Sequence, residues 1–465
     1  MEAMLQKKKS IFGDKAFYLM VLSIALPIAI QNGITNFVNL LDNLMVGRVG
    51  TEEMSGVSIA NQLVFVFNLC IFGTVSGAGI FGAQFFGKKD DEGVKTTTRF
   101  KIVAGFIITI VASTAFLLFG EKLISLFLTG DSNGGDLDKT LYYAMKYLRI
   151  MILGLPGFML TQACSSTLRE GGEAVLPMKA GIAAIFTNLI LNWVLIFGNL
   201  GAPRLGCQGA AIATVISRYV ELGLVVGATL KDREKYKYLK GLWSTLVIEK
   251  KMLKRILKAA APLIMNETMW SLGMTALMQC YSTRGLNAVA GCNIFSTISN
   301  LFNVAFLAVG NAIGIIIGQL LGAGKTEEAV DTDRKLIAFS VMVGIASGIL
   351  LSLLSPIFPR LYNTTEGAKK IAMEMICAHA LCLPLFAFKN ATYFTLRSGG
   401  KIWVTILFDS AFLWAVSVPI AFIISRFTPL SVVFIYLSVQ AGDILKCILG
   451  YILVKKRIWV KNIVD

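Results

Sequence analysis

The chain has 465 residues, 55% of them hydrophobic and 15% charged, with a mean hydropathy of +0.69. That is more apolar surface than a soluble core can hide, which excludes a single soluble globular domain and points to a polytopic membrane protein. A net charge of +16 would suggest nucleic acid in a soluble protein; here its distribution over alternate loops reads as topology and contact with anionic lipid, with no nucleic-acid partner.

A span needs about 20 mostly apolar residues, and about twelve such stretches follow one another, near 17–46, 57–86, 100–128, 141–167, 176–198, 208–230, 253–281, 289–321, 336–358, 371–396, 402–425 and 431–454. The expected fold class is an all-α polytopic membrane protein, with twelve transmembrane helices in two homologous six-helix lobes. Lys7-Lys8-Lys9 precede an apolar stretch too long for a signal peptide and without a small-residue cleavage site, so the first span is expected to be retained. Alternate loops are rich in Lys and Arg, the 231–258 segment alone holding ten, which places both termini in the cytoplasm and the protein in a plasma (inner) membrane. Residues 231–258 join the halves, and Lys250 to Lys258 alternate cations with Met252, Leu253, Ile256 and Leu257 in the pattern of a surface-lying amphipathic helix. The domains expected are an N-lobe over 1–230, this cytoplasmic linker over 231–258 and a C-lobe over 259–465.

The halves repeat. A shift of 235 lays Pro27 on Pro262, Gly50 on Gly285, Asn68 on Asn303, Gln84 on Gln319, Gly87 on Gly322 and Arg99 on Arg334. A shift of 228 lays Pro156 on Pro384, Leu168-Arg169 on Leu396-Arg397 and Gly171-Gly172 on Gly399-Gly400. Parallel repeats of this kind are one architecture of alternating-access transporters.

Enzymatic chemistry is poorly supplied. The nearest approach to a phosphate-cradling loop, Gly322-Ala323-Gly324-Lys325-Thr326, fails because position 319 is Gln. His379 is the only histidine, and the eight cysteines are scattered with no CxxC pair, so no disulfide framework, metal site, cofactor or catalytic residue is expected. Asn363-Thr364-Thr365 fits a glycosylation sequon, on weak evidence.

Charges inside spans cost about 2.5–3.5 kcal/mol on insertion scales and are functional candidates by default. Asp42 follows Pro27 in the first span, and Asn36, Asn39 and Asn43 lie on or beside its helical face, a polar shell suited to a proton or small cation; a simply solvated Asp is the alternative. Glu267 lies five residues after Pro262, where the repeat places Asn32 in the first half, so the halves carry their acids at non-equivalent positions. Lys389 sits well inside a span and needs a partner, for which Glu267 is the expectation; a static bridge and a proton-sensitive switch stay open. Asp409 lies roughly two turns into its span. Arg218 with Glu221, and Asp443 with Lys446, are i,i+3 pairs that can neutralise each other on one helix. Asn188 and Asn192 share a face of the fifth span, and Asn293, Asn300 and Asn303 form a stripe in the eighth, lining a cavity or bonding between helices. Asn68 and Trp270 join the cavity candidates, Trp270 as a surface on which flat organic molecules could stack.

Pro27 with Leu41-Asp42-Asn43-Leu44-Met45-Val46-Gly47, Gln84-Phe85-Phe86-Gly87, Leu168-Arg169-Glu170-Gly171-Gly172 and the Asn188/Asn192 pair together resemble the multidrug and toxic compound extrusion (MATE) family, within the multidrug/oligosaccharidyl-lipid/polysaccharide flippase superfamily. The resemblance implies a secondary antiporter that exports organic, often cationic, compounds in exchange for Na⁺ or H⁺, with two lobes around a central cavity and no enzyme activity. It carries the family's first-span Asp onto Asp42 and its seventh-span Glu onto Glu267. The fifth-span pair, often Asn then Asp in the family, is here Asn188 and Asn192, and the tenth span reads Phe386 with Lys389 nearby where some branches carry Asp. Cation or proton coupling is therefore expected at Asp42, Asn188, Asn192 and Glu267, with Asn36, Asn39, Asn68, Trp270, Asn303, Lys389 and Asp409 as cavity candidates. The expected partners are small organic substrates and membrane lipid, for a monomer. A lipid-linked oligosaccharide flippase is the nearer alternative, and a membrane-embedded enzyme the more distant one.

Overall fold

The computed structural model describes residues 11–128, 136–242, 247–362 and 364–465, without the side chains of residues 39, 40, 43, 44 and 51. The side chains of Asn39 and Asn43, Asn363 and the Lys7 to Lys9 run thus lie outside the described residues. Among the described residues the regular structure is entirely helical. The helices are α1 (Lys15–Gly47), α2 (Thr51–Lys88), α3 (Asp91–Ser125), α4 (Leu137–Glu170), α5 (Val175–Phe197), α6 (Cys207–Lys231), α7 (Lys250–Ser282), α8 (Leu286–Gly322), α9 (Thr326–Leu354), α10 (Glu366–Ser398), α11 (Ile402–Phe427) and α12 (Val432–Lys455). Within α11, Leu407–Ala411 and Leu413–Ser417 are π-helical.

Eleven of these helices are long and apolar enough to cross a membrane. The other, α7, has 33 residues but opens on Lys250, Lys251, Lys254, Arg255 and Lys258 and places Asn266-Glu267-Thr268 just past Pro262. Its basic first turns continue straight into the rest of the helix, so Lys250 to Lys258 are the start of the seventh helix rather than a separate surface helix. Helices also begin earlier than the apolar stretches do: α3 starts at Asp91 and α9 at Thr326, because charged turns stay helical beyond the apolar run. Asp90 caps α3 by accepting from Gly93 N, and Asp136 caps α4 by accepting from Asp138 N and Lys139 N.

The repeat has a structural meaning. Pro27, Pro156, Pro262 and Pro384 each lie inside a helix, α1, α4, α7 and α10, where each removes a backbone hydrogen bond. The paired glycine turns end α4 and α10 in the same way: Gly172 and Gly400 adopt φ of +86° and +72°, which a side chain would strain.

The chain forms two compact units. One comprises residues up to Ala29, then Ala83–Lys89 and Met265–Asp465; the other comprises Ile30–Gly82 and Asp90–Ile264. We call them the C-unit and the N-unit. In the N-unit, α4 packs between α3 and α6, and α6 packs in turn on α5, around a core that includes Phe67, Ile71, Leu148, Met159 and Ile196. Lys101 and Glu170 are buried there, bonded through both carboxylate oxygens at 2.7 Å, with Thr167 3.1 Å from the ammonium. The segment after α6 is tied down: Arg99 donates to the carbonyls of Gly241 and Leu242 at 3.2 Å, and Lys235 bonds Glu173 at 2.5 Å, an acceptor that holds the Lys235 ammonium above its ordinary range.

In the C-unit, α8, α9 and α12 surround α10. The end of α2 crosses α8 reciprocally: a Cβ on Gly87 would run into the Gln319 carbonyl, and one on Gly322 into the Gln84 carbonyl. Both repeats of the Gln-x-x-Gly sequence are used at one crossing. Gln84 also clasps the segment after α12, its Nε2 donating to Ser398 O and Lys461 O at 3.0 and 3.2 Å while Ile463 N donates to its Oε1 at 2.8 Å. Trp459 is buried beside Gly399, and Lys88 pairs with Asp465 at 2.9 Å.

Candidate functional site

Asp42 sits near the end of α1, half-buried, and the side chains that hydrogen-bond it are amides. Asn192 Nδ2 donates to Asp42 Oδ1 at 2.6 Å. Asn188, one turn earlier on α5, lies 3.3 Å from the Thr214 hydroxyl of α6; in the amide orientation that matches donors to acceptors its Nδ2 also donates to both Asp42 oxygens at 3.1 Å. Asn188 and Asn192 are buried, and among the described residues Asn192 Oδ1 has no hydrogen-bond partner. Tyr147, whose hydroxyl donates to Asn61 at 3.2 Å, and Arg218 face Asp42 from α4 and α6. Among the described residues no Lys or Arg forms an ion pair with Asp42; Arg218 pairs with Glu221 at 3.5 Å, as its i,i+3 spacing predicts. The site thus offers carboxylate, amide and hydroxyl oxygens, one of them an orphan. Such donors suit a proton or a hard cation.

Thr214, which bonds Asn188, and Tyr147, which faces Asp42, were not legible as parts of this site, since each is an ordinary polar residue of its helix. In the N-unit Asn36 is exposed and Asn68 half-buried, and neither takes part in the hydrogen bonds described for Asp42.

The C-unit carries a second polar network. Lys389 pairs with Asp443, not with Glu267, and Lys446 pairs with Asp409 at 3.0 Å, not with Asp443. Both corrections have one cause. The i,i+3 spacing of Asp443 and Lys446 permits an intrahelical pair, but α10 and α11 each present an opposite charge to α12, and the pairs form across helices instead. Asn266 Nδ2 donates to Asp409 Oδ2 at 3.2 Å, and the Ser410 hydroxyl donates to Asn266 Oδ1 at 2.6 Å. Glu267, next to Asn266, faces Arg397 and Tyr393 of α10. Asn303 belongs to a different cluster, 3.1 Å from His379 Nε2, whose Nδ1 lies 2.7 Å from the Tyr436 hydroxyl; His379 is a packed, bonded helix residue. Trp270 is 40% exposed. Among the described residues no group of His, Cys, Asp and Glu could hold a metal ion as a cluster.

Twelve long helices with a duplicated proline and glycine framework, and an acid held among amides in one half, define a multi-pass membrane transporter. The chain belongs to the MatE family, whose model matches residues 27–194 and 262–423. It is 24% identical over 452 residues to the probable multidrug resistance protein YoeA of Bacillus subtilis, covering 96% of this chain and 94% of that one. It is also 24% identical over 448 residues to the probable multidrug resistance protein NorM of Thermotoga maritima, covering 96% and 93%. In fold it is similar to a point mutant of the Vibrio cholerae MATE transporter VcmN, at a TM-score of 0.86 and 17% identity over 96% of this chain and 98% of that one. A Pyrococcus furiosus transporter of the MOP superfamily, described as having a reversed polarity of its binding pocket that suggests a different function, matches at a TM-score of 0.82 and 21% identity over 96% of each chain. The protein is a MATE transporter and not an enzyme.

Proposed function

We propose that this chain is a secondary multidrug efflux antiporter that exports organic, often cationic, compounds by alternating access in exchange for Na⁺ or H⁺. The observation that carries the reading is Asp42: a membrane-embedded carboxylate braced by Asn192 and Asn188 that, among the described residues, has no salt bridge and lies beside an Asn192 Oδ1 without a partner. A bound cation or proton would neutralise the carboxylate, and it biases alternation only as far as it binds one state better than the other. The names of the relatives supply the substrate class, and the charge distribution over the loops supports cytoplasmic termini in a plasma membrane. Lobes over 1–230 and 259–465, joined by 231–258, are the moving parts of this scheme, and a monomer suffices for it. Glu267 adds a second acid whose duty differs from that of Asp42.

The flippase alternative requires free cations to meet a lipid-linked pyrophosphate. Lys389 and Lys446 do not supply them, because Asp443 and Asp409 already hold them.

The test is ethidium efflux from proteoliposomes under a Na⁺ gradient or a pH gradient imposed separately, with Asp42→Asn alongside. Efflux driven by one gradient and lost in the variant is the expected result and names the ion. Undiminished coupled efflux by Asp42→Asn would sink the assignment of that residue, and no efflux by the wild type under either gradient would favour the flippase.

A further inference from the structure

The C-unit holds a carboxyl group that the scheme above leaves unused. Asp333, about two turns into α9, is only 1% exposed, and its hydrogen-bond partner is Thr395 of α10, itself fully buried, with Thr395 Oγ1 2.5 Å from Asp333 Oδ1. The same hydroxyl lies 3.0 Å from the Ala391 carbonyl, one turn back on α10. Bonding to the i−4 carbonyl is what other buried threonines of this chain do: Thr74 to Cys70, Thr98 to Val94, Thr109 to Gly105, Thr161 to Gly157 and Thr167 to Ala163, at 2.8 to 3.0 Å. A hydroxyl has one proton to give. Thr395 Oγ1 thus donates toward two acceptors, Asp333 Oδ1 and Ala391 O, with a single proton between them, and a proton on Asp333 would leave the hydroxyl free to bond Ala391 O as the other threonines bond their own helices.

The surrounding charges agree. On α9 itself, Arg334 and Lys335 bond Asp331 at 2.9 and 2.7 Å. On α10, Lys389 is held by Asp443 while Arg397 faces Glu267; Lys446 of α12 is held by Asp409. Among the described residues no cation forms an ion pair with Asp333, and an ionised carboxylate buried without one is strongly disfavoured.

The repeat supplies a comparison within the same chain. The shifts of 235 and 228 carry Asp333 onto Thr98 and Thr395 onto Thr167, and those two hydroxyls lie 3.3 Å apart in the N-unit. There the neighbouring Lys101 and Glu170 form an ion pair; their C-half counterparts are Leu336 and Ser398. The C-unit therefore keeps the hydroxyl, loses the ion pair and puts an acid where the N-unit has an alcohol.

We infer that Asp333, bonded to Thr395, is a proton-binding site of the C-terminal half, separate from Asp42, that carries its proton as a neutral carboxylic acid and exchanges it with water during the transport cycle. On release the proton leaves from the carboxyl oxygen to water and Asp333 remains as carboxylate; on loading the reverse occurs. Only the link to transport rests on the antiport reading; protonation and exchange do not.

Infrared difference spectroscopy of the full-length protein in membranes tests it, comparing the wild type with Asp333→Asn, Asp42→Asn, Thr395→Val and Asp333→Thr. The last rebuilds the hydroxyl pair of the N-unit and so guards against a folding failure. At neutral pH the carboxylic carbonyl band should be present in the wild type and in Asp42→Asn, be lost in Asp333→Asn and Asp333→Thr, move in Thr395→Val, and downshift on transfer to D₂O. Identical wild-type and Asp333→Thr spectra in this region would overturn the proton site, and a band that resists D₂O would overturn the exchange. For the transport link, pH-gradient-driven ethidium efflux should be lost in Asp333→Thr while ethidium binding persists; an unchanged pH profile of efflux would refute it. A wild type that moves no dye under either gradient tells against the antiport, while the band still decides the site.

Discussion

Replacing Lys101 by Met tests how the N-unit is held together. The ammonium is wholly buried and bonds both oxygens of Glu170 at 2.7 Å, with a further bond to Thr167 at 3.1 Å. The carboxylate in turn packs against α2, where Gly79 and Gly82 leave room for it and any Cβ would collide with its oxygens. Three helices thus meet at one ion pair. Removing one partner strands a buried charge, for which the usual loss is about 3–5 kcal/mol, or roughly two to three and a half powers of ten in the folding equilibrium. The double variant Lys101→Met with Glu170→Leu removes both charges and should recover most of that loss, since apolar replacement of a whole buried pair is often neutral. Thermal unfolding in detergent of the wild type, both single variants and the double variant closes the cycle. Equal, additive losses in the two single variants would refute the reasoning, because independent residues add and a coupled pair does not.

The same logic applies in the C-unit, where Lys389→Met should destabilise the protein more than Lys389→Met combined with Asp443→Leu, read by the same unfolding assay. Trp459→Ala should cost about 3–5 kcal/mol as a large buried aromatic is lost, and limited proteolysis should then cleave the segment after α12 faster; an unchanged cleavage rate would show that the Gln84 clasp alone holds it. In the Asp42 site, Asn192→Ala should weaken ion-coupled dye efflux more than Asn36→Ala does, because Asn192 bonds the carboxylate while Asn36 is exposed; equal effects in proteoliposomes would count against the amide shell.

The sequence carried the architecture because a membrane span has a crude requirement, length and apolarity, and because the repeat marks each proline and glycine turn twice. Asn188 and Asn192 were legible beside Asp42 for a similar reason: two amides one turn apart inside an apolar helix have few ways to be satisfied. The pairings across helices were not legible. Lys389 had two carboxylates on other helices within chemical reason, Glu267 and Asp443, and only the packing of α10 on α12 selects between them. Asp333 escaped notice because it lies in a run of charges, Glu327 to Lys335, that reads as an interfacial loop ahead of an apolar stretch starting near 336. The helix begins at Thr326 instead, and Asp333 turns inward while Asp331, Arg334 and Lys335 bond one another. The available signal was the repeat itself, which sets Asp333 on Thr98, a comparison that has meaning only once Thr98 is known to be buried.

That comparison bears on how one duplicated frame comes to hold two different chemistries. The positions that shape the frame are kept: Pro27 with Pro262, Pro156 with Pro384, Gly172 with Gly400, and the two Gln-x-x-Gly sequences that interlock at one crossing. Apart from Arg99 with Arg334 and Arg169 with Arg397, the charged positions discussed above are not kept. Asp42 falls on Leu277, Glu267 on Asn32, Asp333 on Thr98 and Lys101 on Leu336, while Lys389 falls on Thr161, whose hydroxyl bonds its own helix at 2.9 Å. Backbone geometry tolerates little change, because a Cβ in a helix crossing or a side chain at positive φ strains the fold directly. A buried charge can be moved at little net cost provided its partner moves with it, as an apolar replacement of the whole pair shows. Divergence between the halves is therefore expected to run through complete pairs. The N-unit obeys this with Lys101 and Glu170, whose counterparts are Leu336 and Ser398, neither of them charged. Asp333 departs from it, an acid gained with no ion-pairing cation among the described residues, and on the proposal above its proton, rather than an ion pair, balances it.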